Sequence, residues 1–136
     1  MEVAKHESSD NPVYYVQYGY ARIAGILQTA RERGIDWTNG DASLLTHPSE
    51  LALIRKMVLL PELVEVISRT LMPHHLPHYA TELATAFHVF YQQCRVVSSK
   101  ADDEAITKAR LKLAEAARTV LERVLNLMGM DAPERM

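Results

Sequence analysis

Apolar residues recur every three or four positions along most of this chain, and polar, proline-bearing or glycine-bearing stretches interrupt the recurrence at a few places. In the first periodic segment Val16, Tyr20, Ile23 and Leu27 fall on one side of a helix. Asp10 or Asn11 can cap it, and Pro12 suits its first turn because the missing N–H would have had no intrahelical partner there. Gly34 after "ARER" is a stop signal, with arginines placed to favour the negative end of the helix dipole. The following "IDWTNGDASLLTHPS" has no sustained period and reads as the least ordered connection, with Trp37 laid onto the helices. From Pro48, "SELALIRKMVLL" is helical until Pro61, where "PELVEVISRTL" resumes; two short helices or one kinked helix would both fit. Beyond "MPHHLP", the run Leu76 to Cys94 places Leu83, Phe87, Phe90 and Cys94 on one stripe. "SSKADDE" is a polar connection in which Asp102 and Asp103 read as capping and dipole-matching charges. The last segment directs Ile106, Leu113, Ala117, Val120, Leu121, Val124 and Leu127 inward and ends at Gly129. No period-two segment is long enough for a strand, so the expected fold class is all-α, a single bundle of about five helices spanning 1–136.

Composition narrows this further. The chain has 136 residues, 48% of them hydrophobic, which suffices for one domain with a real core. Its net charge of −2 means that any nucleic acid must be held by a local patch and not by bulk attraction. The lone Cys94 excludes an internal disulfide framework and a cysteine-rich zinc site, which fits a reducing, cytoplasmic setting. No apolar run is long enough to cross a bilayer, and "MEVAKHESSD" has neither the apolar core nor the cleavage site of a signal peptide.

Candidate chemistry is mostly missing. The glycines are scattered, without a GxxxxGK[ST] or GxGxxG pattern. His74, His75, His78 and His88 invite a metal reading, but Pro73 and Pro77 oppose a helix that would bring His75 and His78 to one face; a solvated turn, with His88 packed in the bundle, accounts for them. Cys94 lacks an activating neighbour in the sequence, and Ser98 and Ser99 lack the G-x-S-x-G context of a nucleophile.

The unexplained feature is "DNPVYYVQYGYAR", Asp10 to Arg22, with four of the chain's six tyrosines. At about 100° per residue, Tyr15, Tyr18 and Arg22 lie within about 60° of one another, opposite the apolar stripe. Outward tyrosines beside an arginine offer flat π-faces and a forked donor, suited to unstacked nucleobases and a phosphate. The same residues would equally serve packing of Tyr14, Tyr15 and Tyr18 on another helix or domain.

The segment "DNPVYYVQYGYARI" resembles the signature that opens the C-terminal domain of arginyl-tRNA synthetases, and "ATELATAFHVFYQQCRV" and "LNLMGMDAPERM" agree with that family in order. The resemblance covers essentially the whole chain. It implies a helical DALR anticodon-binding domain, a fragment of a longer class I synthetase that uses ATP to charge tRNA with arginine. It also implies that Tyr15, Tyr18 and Arg22 lie against the anticodon loop, that Met136 approaches it, that the loop from Arg95 to Ser99 adds contacts through Arg95, and that Asn11 lies near the tRNA. Gly19-Tyr20 departs from the family's alanine followed by histidine or an aromatic, which hints at close approach by RNA or a neighbouring helix. The "HIGH"-type and "KMSKS"-type segments are missing, so catalytic, cofactor-binding and metal residues are expected to be none here, with ATP and magnesium left to the catalytic domain. The implied partners are the anticodon stem-loop of tRNA(Arg) and that catalytic domain, with no membrane and no DNA. The competing expectation is a free-standing helical module that binds protein.

Overall fold

The computed structural model describes residues 12–71 and 74–136. Among them are five α-helices and no strand: α1 (Pro12–Glu32), α2 (Pro48–Met57), α3 (Leu60–Thr70), α4 (His75–Gln93) and α5 (Glu104–Leu127). Helix α1 begins at its proline, as expected; its proposed caps, Asp10 and Asn11, lie outside the described residues. Both glycine stops act as read. Gly34 and Gly129 adopt positive φ (73° and 75°), and the next amide donates back, Ile35 N–H to the Ala30 carbonyl and Met130 N–H to the Leu125 carbonyl. That pattern satisfies carbonyls left without partners at a helix end.

The choice around Pro61 resolves into two helices, separated only by Val58 and Leu59. Pro61 sits in the first turn of α3, where a missing N–H costs little. Helix α2 starts with a reciprocal cap: His47 Nδ1 accepts from the Ser49 amide, and Glu50 accepts from the His47 amide. Helix α4 begins at His75, so Pro77 does not delay it as the sequence suggested; a proline is tolerated in a first turn.

Helices α1, α4 and α5 pack together, and α2 closes the bundle against α4 and α5. The interior takes Val16, Tyr20, Ile23 and Leu27 from α1, Leu83, Phe87 and Phe90 from α4, and Leu113, Ala117, Leu121 and Val124 from α5, all buried. Burial of each large apolar side chain contributes on the order of 1.5–3 kcal/mol. Leu127 departs from the expectation: it lies in the last turn of α5 and is 47% exposed. Ile106 and Val120 are only partly buried.

The connection after α1 is more firmly held than its composition suggested. Trp37 is buried and its indole N–H donates to Glu115 on α5 (3.0 Å); Lys112 donates to the Thr38 carbonyl; and a 3₁₀ turn, Ala42–Leu44, is capped by Asp41. A Cβ at Gly40 would lie 2.5 Å from the Lys108 carbonyl oxygen, so only glycine lets this loop touch α5. Asp103, expected as a cap, instead accepts from the Ser98 hydroxyl (2.7 Å) and makes no side-chain cap bond to α5.

Candidate nucleic-acid interface

The outward side of α1 meets α4 along a seam, and the seam sorts the residues singled out from the sequence. Tyr18 is 44% exposed and Arg22 is exposed. Tyr15, expected to face outward with them, is partly buried instead: its ring packs on His88 at 5.5 Å between centroids and its hydroxyl lies 3.0 Å from Thr85 Oγ1. Periodicity gave its angle around α1 correctly, but not the neighbour waiting there. The Arg22 guanidinium lies 5.1 Å from the Tyr91 ring centroid, a cation–π arrangement that holds its long side chain against α4. Tyr91 in turn stacks nearly parallel on Phe87, whose side chain is fully buried.

His88, Thr85 and Tyr91 are therefore members of this surface that sequence reasoning missed. The signal was available: in "TAFHVFY" they recur at three-residue spacing, flanking the apolar stripe of α4. Gly19 faces the same helix. A methyl group there would sit 3.5 Å from Ala84 Cβ and 3.8 Å from His88 Nε2, both ordinary contacts, so the glycine reflects a helix packed opposite and an alanine would fit.

The seam is also short of acid. Helix α1 carries no Asp or Glu before Glu32, and the only acid of α4, Glu82, is engaged by Lys56 (2.7 Å) and His78 (2.9 Å). Arg22 has no ion-pair partner among the described residues, leaving a local positive site on a protein of net charge −2. His88 lies within it; burial, and then the Arg22 charge, hold its imidazole below the usual value of 6.5.

The other candidates lie at the margins. Arg95 follows the last turn of α4 and its side chain is exposed. Its carbonyl accepts from Arg110, which also binds the buried Glu50 carboxylate, so one network fixes the exit of α4, the start of α2 and α5 together. The terminal segment runs back along α1: Gln17 donates to the Asp131 carbonyl (3.0 Å), next in sequence to Tyr18, and Glu134 pairs with Arg118 (3.7 Å). Met136 at its end is 55% exposed, and none of the hydrogen bonds or ring contacts of the seam reaches it. Asn11 lies outside the described residues.

Among the described residues no group of His, Cys, Asp and Glu could hold a metal ion, and no helix is long and apolar enough to cross a membrane. Cys94 is buried beside the Ser49 hydroxyl.

Comparison with known proteins identifies the family and the fold. A family model described as the DALR anticodon binding domain matches residues 16–136. Arginine-tRNA ligase of Dehalococcoides mccartyi (strain BAV1) is 58% identical over 136 residues, which is all of this chain and 24% of the relative. The ligase of Heliobacterium modesticaldum is 46% identical over 143 residues, again covering all of this chain and 25% of the relative. A crystal structure assigned to an arginyl-tRNA synthetase of Campylobacter jejuni superposes with a TM-score of 0.76 at 26% identity, covering 96% of this chain and 28% of its own. The chain thus spans about a quarter of the length of the curated relatives it matches.

Proposed function

The chain belongs to the DALR anticodon-binding domain family, and on that premise we propose that it is the tRNA-reading module of an arginine-tRNA ligase. It binds the anticodon loop, while ATP, magnesium and the chemistry of arginylation belong to the rest of the ligase, which works in the cytoplasm. The observation that carries the reading is the α1/α4 seam. An exposed tyrosine stands beside an exposed arginine that no carboxylate neutralises among the described residues, on the helix where the family signature falls.

The chemistry follows from the side chains. Arginine codons all carry G in the middle, so arginine tRNAs share a central anticodon C while their flanking bases vary. A reader therefore needs one specific pocket and a tolerant platform around it. Stacking is tolerant because every base has a π-face, and Tyr18 is the exposed ring available for it. Tyr15, tethered to Thr85 and His88, presents a fixed edge to a second base. Arg22, steadied over Tyr91, holds a phosphate or a base edge. Arg95 and the Gly129–Met136 segment close the two ends of the surface, and the resemblance to the synthetase family adds Asn11 as a residue near the tRNA.

A protein-binding reading draws support from a different helix. Val58, Leu59, Val64 and Leu71, in and around α3, are exposed apolar residues, and the α1 seam does not involve them. We assign them to contact with the rest of the ligase, a role compatible with RNA binding at α1.

Tyr18→Ala tests the RNA reading. It should weaken binding of an arginine anticodon stem-loop about ten- to a hundredfold, with circular dichroism unchanged, because one stacked base contributes on the order of 1–3 kcal/mol. Arg22→Ala should lower the slope of log affinity against log salt by about one phosphate contact. Unaltered affinity in Tyr18→Ala would mean that Tyr18 is no stacking platform.

A further inference from the structure

Reading the α1/α4 seam as an RNA surface leaves one of its members unused. His88 packs Tyr15, lies close to Arg22, and is a titratable group where a phosphate is expected to settle. We propose that His88 is a proton-linked positioning residue of the RNA interface, neutral and holding Tyr15 in the free protein, and joining Arg22 as a second cation when a backbone phosphate of the loop occupies the seam. The inference rests on the anticodon-binding reading and adds to it a residue, a ligand atom class and a pH dependence.

The surroundings of His88 set the direction. From α1 it is faced by the Tyr15 ring, by Arg22 and by Gly19, whose missing side chain leaves its Nε2 beside the α1 backbone. From α4 it is flanked by Phe87, at 6.2 Å between centroids. Glu82 is the only acid of α4 and is already held by Lys56 and His78. No ion pair reaches His88 among the described residues. In the free protein, partial burial and the like charge of Arg22 therefore both oppose protonation.

A phosphodiester placed against Arg22 reverses the second effect. Its negative charge offsets the guanidinium and attracts a proton to the imidazole, so binding of RNA and of one proton become mutually favourable. The balance is one proton taken from solvent by His88 on complex formation and released on dissociation. The sign is then fixed: with the bound form more basic than the free form, affinity rises as pH falls through the interval between the two.

The test titrates an arginine anticodon stem-loop with the protein and with His88→Gln between pH 8 and pH 6, an interval in which unpaired RNA bases do not titrate. The protein should bind about three- to sixfold more tightly at pH 6, and His88→Gln should be nearly flat across the range. A purely packing role for His88 would lower affinity equally at every pH, giving parallel profiles for the two proteins and overturning the proposal while leaving anticodon binding intact. Should His88→Gln fold poorly, the imidazole carbon resonances of the unaltered protein give the same answer. The midpoint for His88 should move up by about one pH unit when the stem-loop is added, and an unmoved midpoint overturns the proposal. Absence of stem-loop binding at every pH defeats the anticodon reading itself, and this inference with it.

Discussion

Glycine has three different meanings in this chain, and the surroundings of each position decide which applies. At Gly34 and Gly129 the backbone turns through positive φ, where a Cβ is strained. At Gly40 the backbone is pressed against α5, and an added Cβ would meet Lys108 backbone atoms at 2.5 and 2.9 Å. At Gly19 neither holds, since a methyl would make only ordinary contacts. Gly40→Ala should therefore destabilise the protein by about 1–3 kcal/mol, as over-packing against immovable backbone does. Gly19→Ala should raise stability by about 0.5–1 kcal/mol, by removing the entropic cost of glycine within a helix. Paired thermal or urea melts check both, and a loss of stability in Gly19→Ala would mean that α1 and α4 are packed more tightly than their contacts indicate. The tyrosines carry the same lesson. Tyr20, Tyr15 and Tyr18 stand on one helix, yet the first is core, the second a tethered edge and the third exposed, and those differences decide which ring is open to solvent.

At the scale of elements, the network of Glu50 with Arg110 ties α2 to α5 and, through the Arg95 carbonyl, to the loop that follows α4. Glu50 is 1% exposed, so its charge is stabilised by Arg110 and by the His47 amide and not by water. Glu50→Ala leaves the partly buried Arg110 guanidinium without its carboxylate and removes half of the α2 cap. The expected cost is about 3–5 kcal/mol in denaturant unfolding, and a cost below about 1 kcal/mol would show that water replaces the carboxylate freely. Elements governed by local chemistry were legible in the sequence: the start of α1 at Pro12, its stop at Gly34, the end of α5 before Gly129 and an interruption near Pro61 all follow from capping and proline geometry, though not whether that interruption was a kink or, as found, a break at Val58–Leu59. What was not legible depends on residues far apart in sequence. Trp37 finds Glu115 and Gly40 finds Lys108 only after the helices have packed, so the intervening loop looked loose when read alone. Tyr15 and His88 were missed as a pair for the same reason, because helical period gives each residue an angle but does not say which faces will meet. Leu127 shows the converse, an apolar position assigned inward by its spacing that stands exposed in the last turn of α5.

For the whole molecule, three helices form a core, and the side of α1 turned away from that core makes a shallow cationic and aromatic surface with α4. The bundle's slight negative charge keeps this attraction local, which suits recognition of a loop better than clinging to any polyanion. The terminal segment, drawn along α1 by Gln17 and along α5 by Arg118, brings the last residues back towards the helix that carries the surface. Anticodon reading is tested by titrating this protein with an arginine anticodon stem-loop beside a matched stem-loop whose central C is replaced by another base. This single change should lower affinity at least about tenfold, the loss of one read base. Equal binding to the two stem-loops, or binding to neither, would contradict the claim that this chain reads the anticodon.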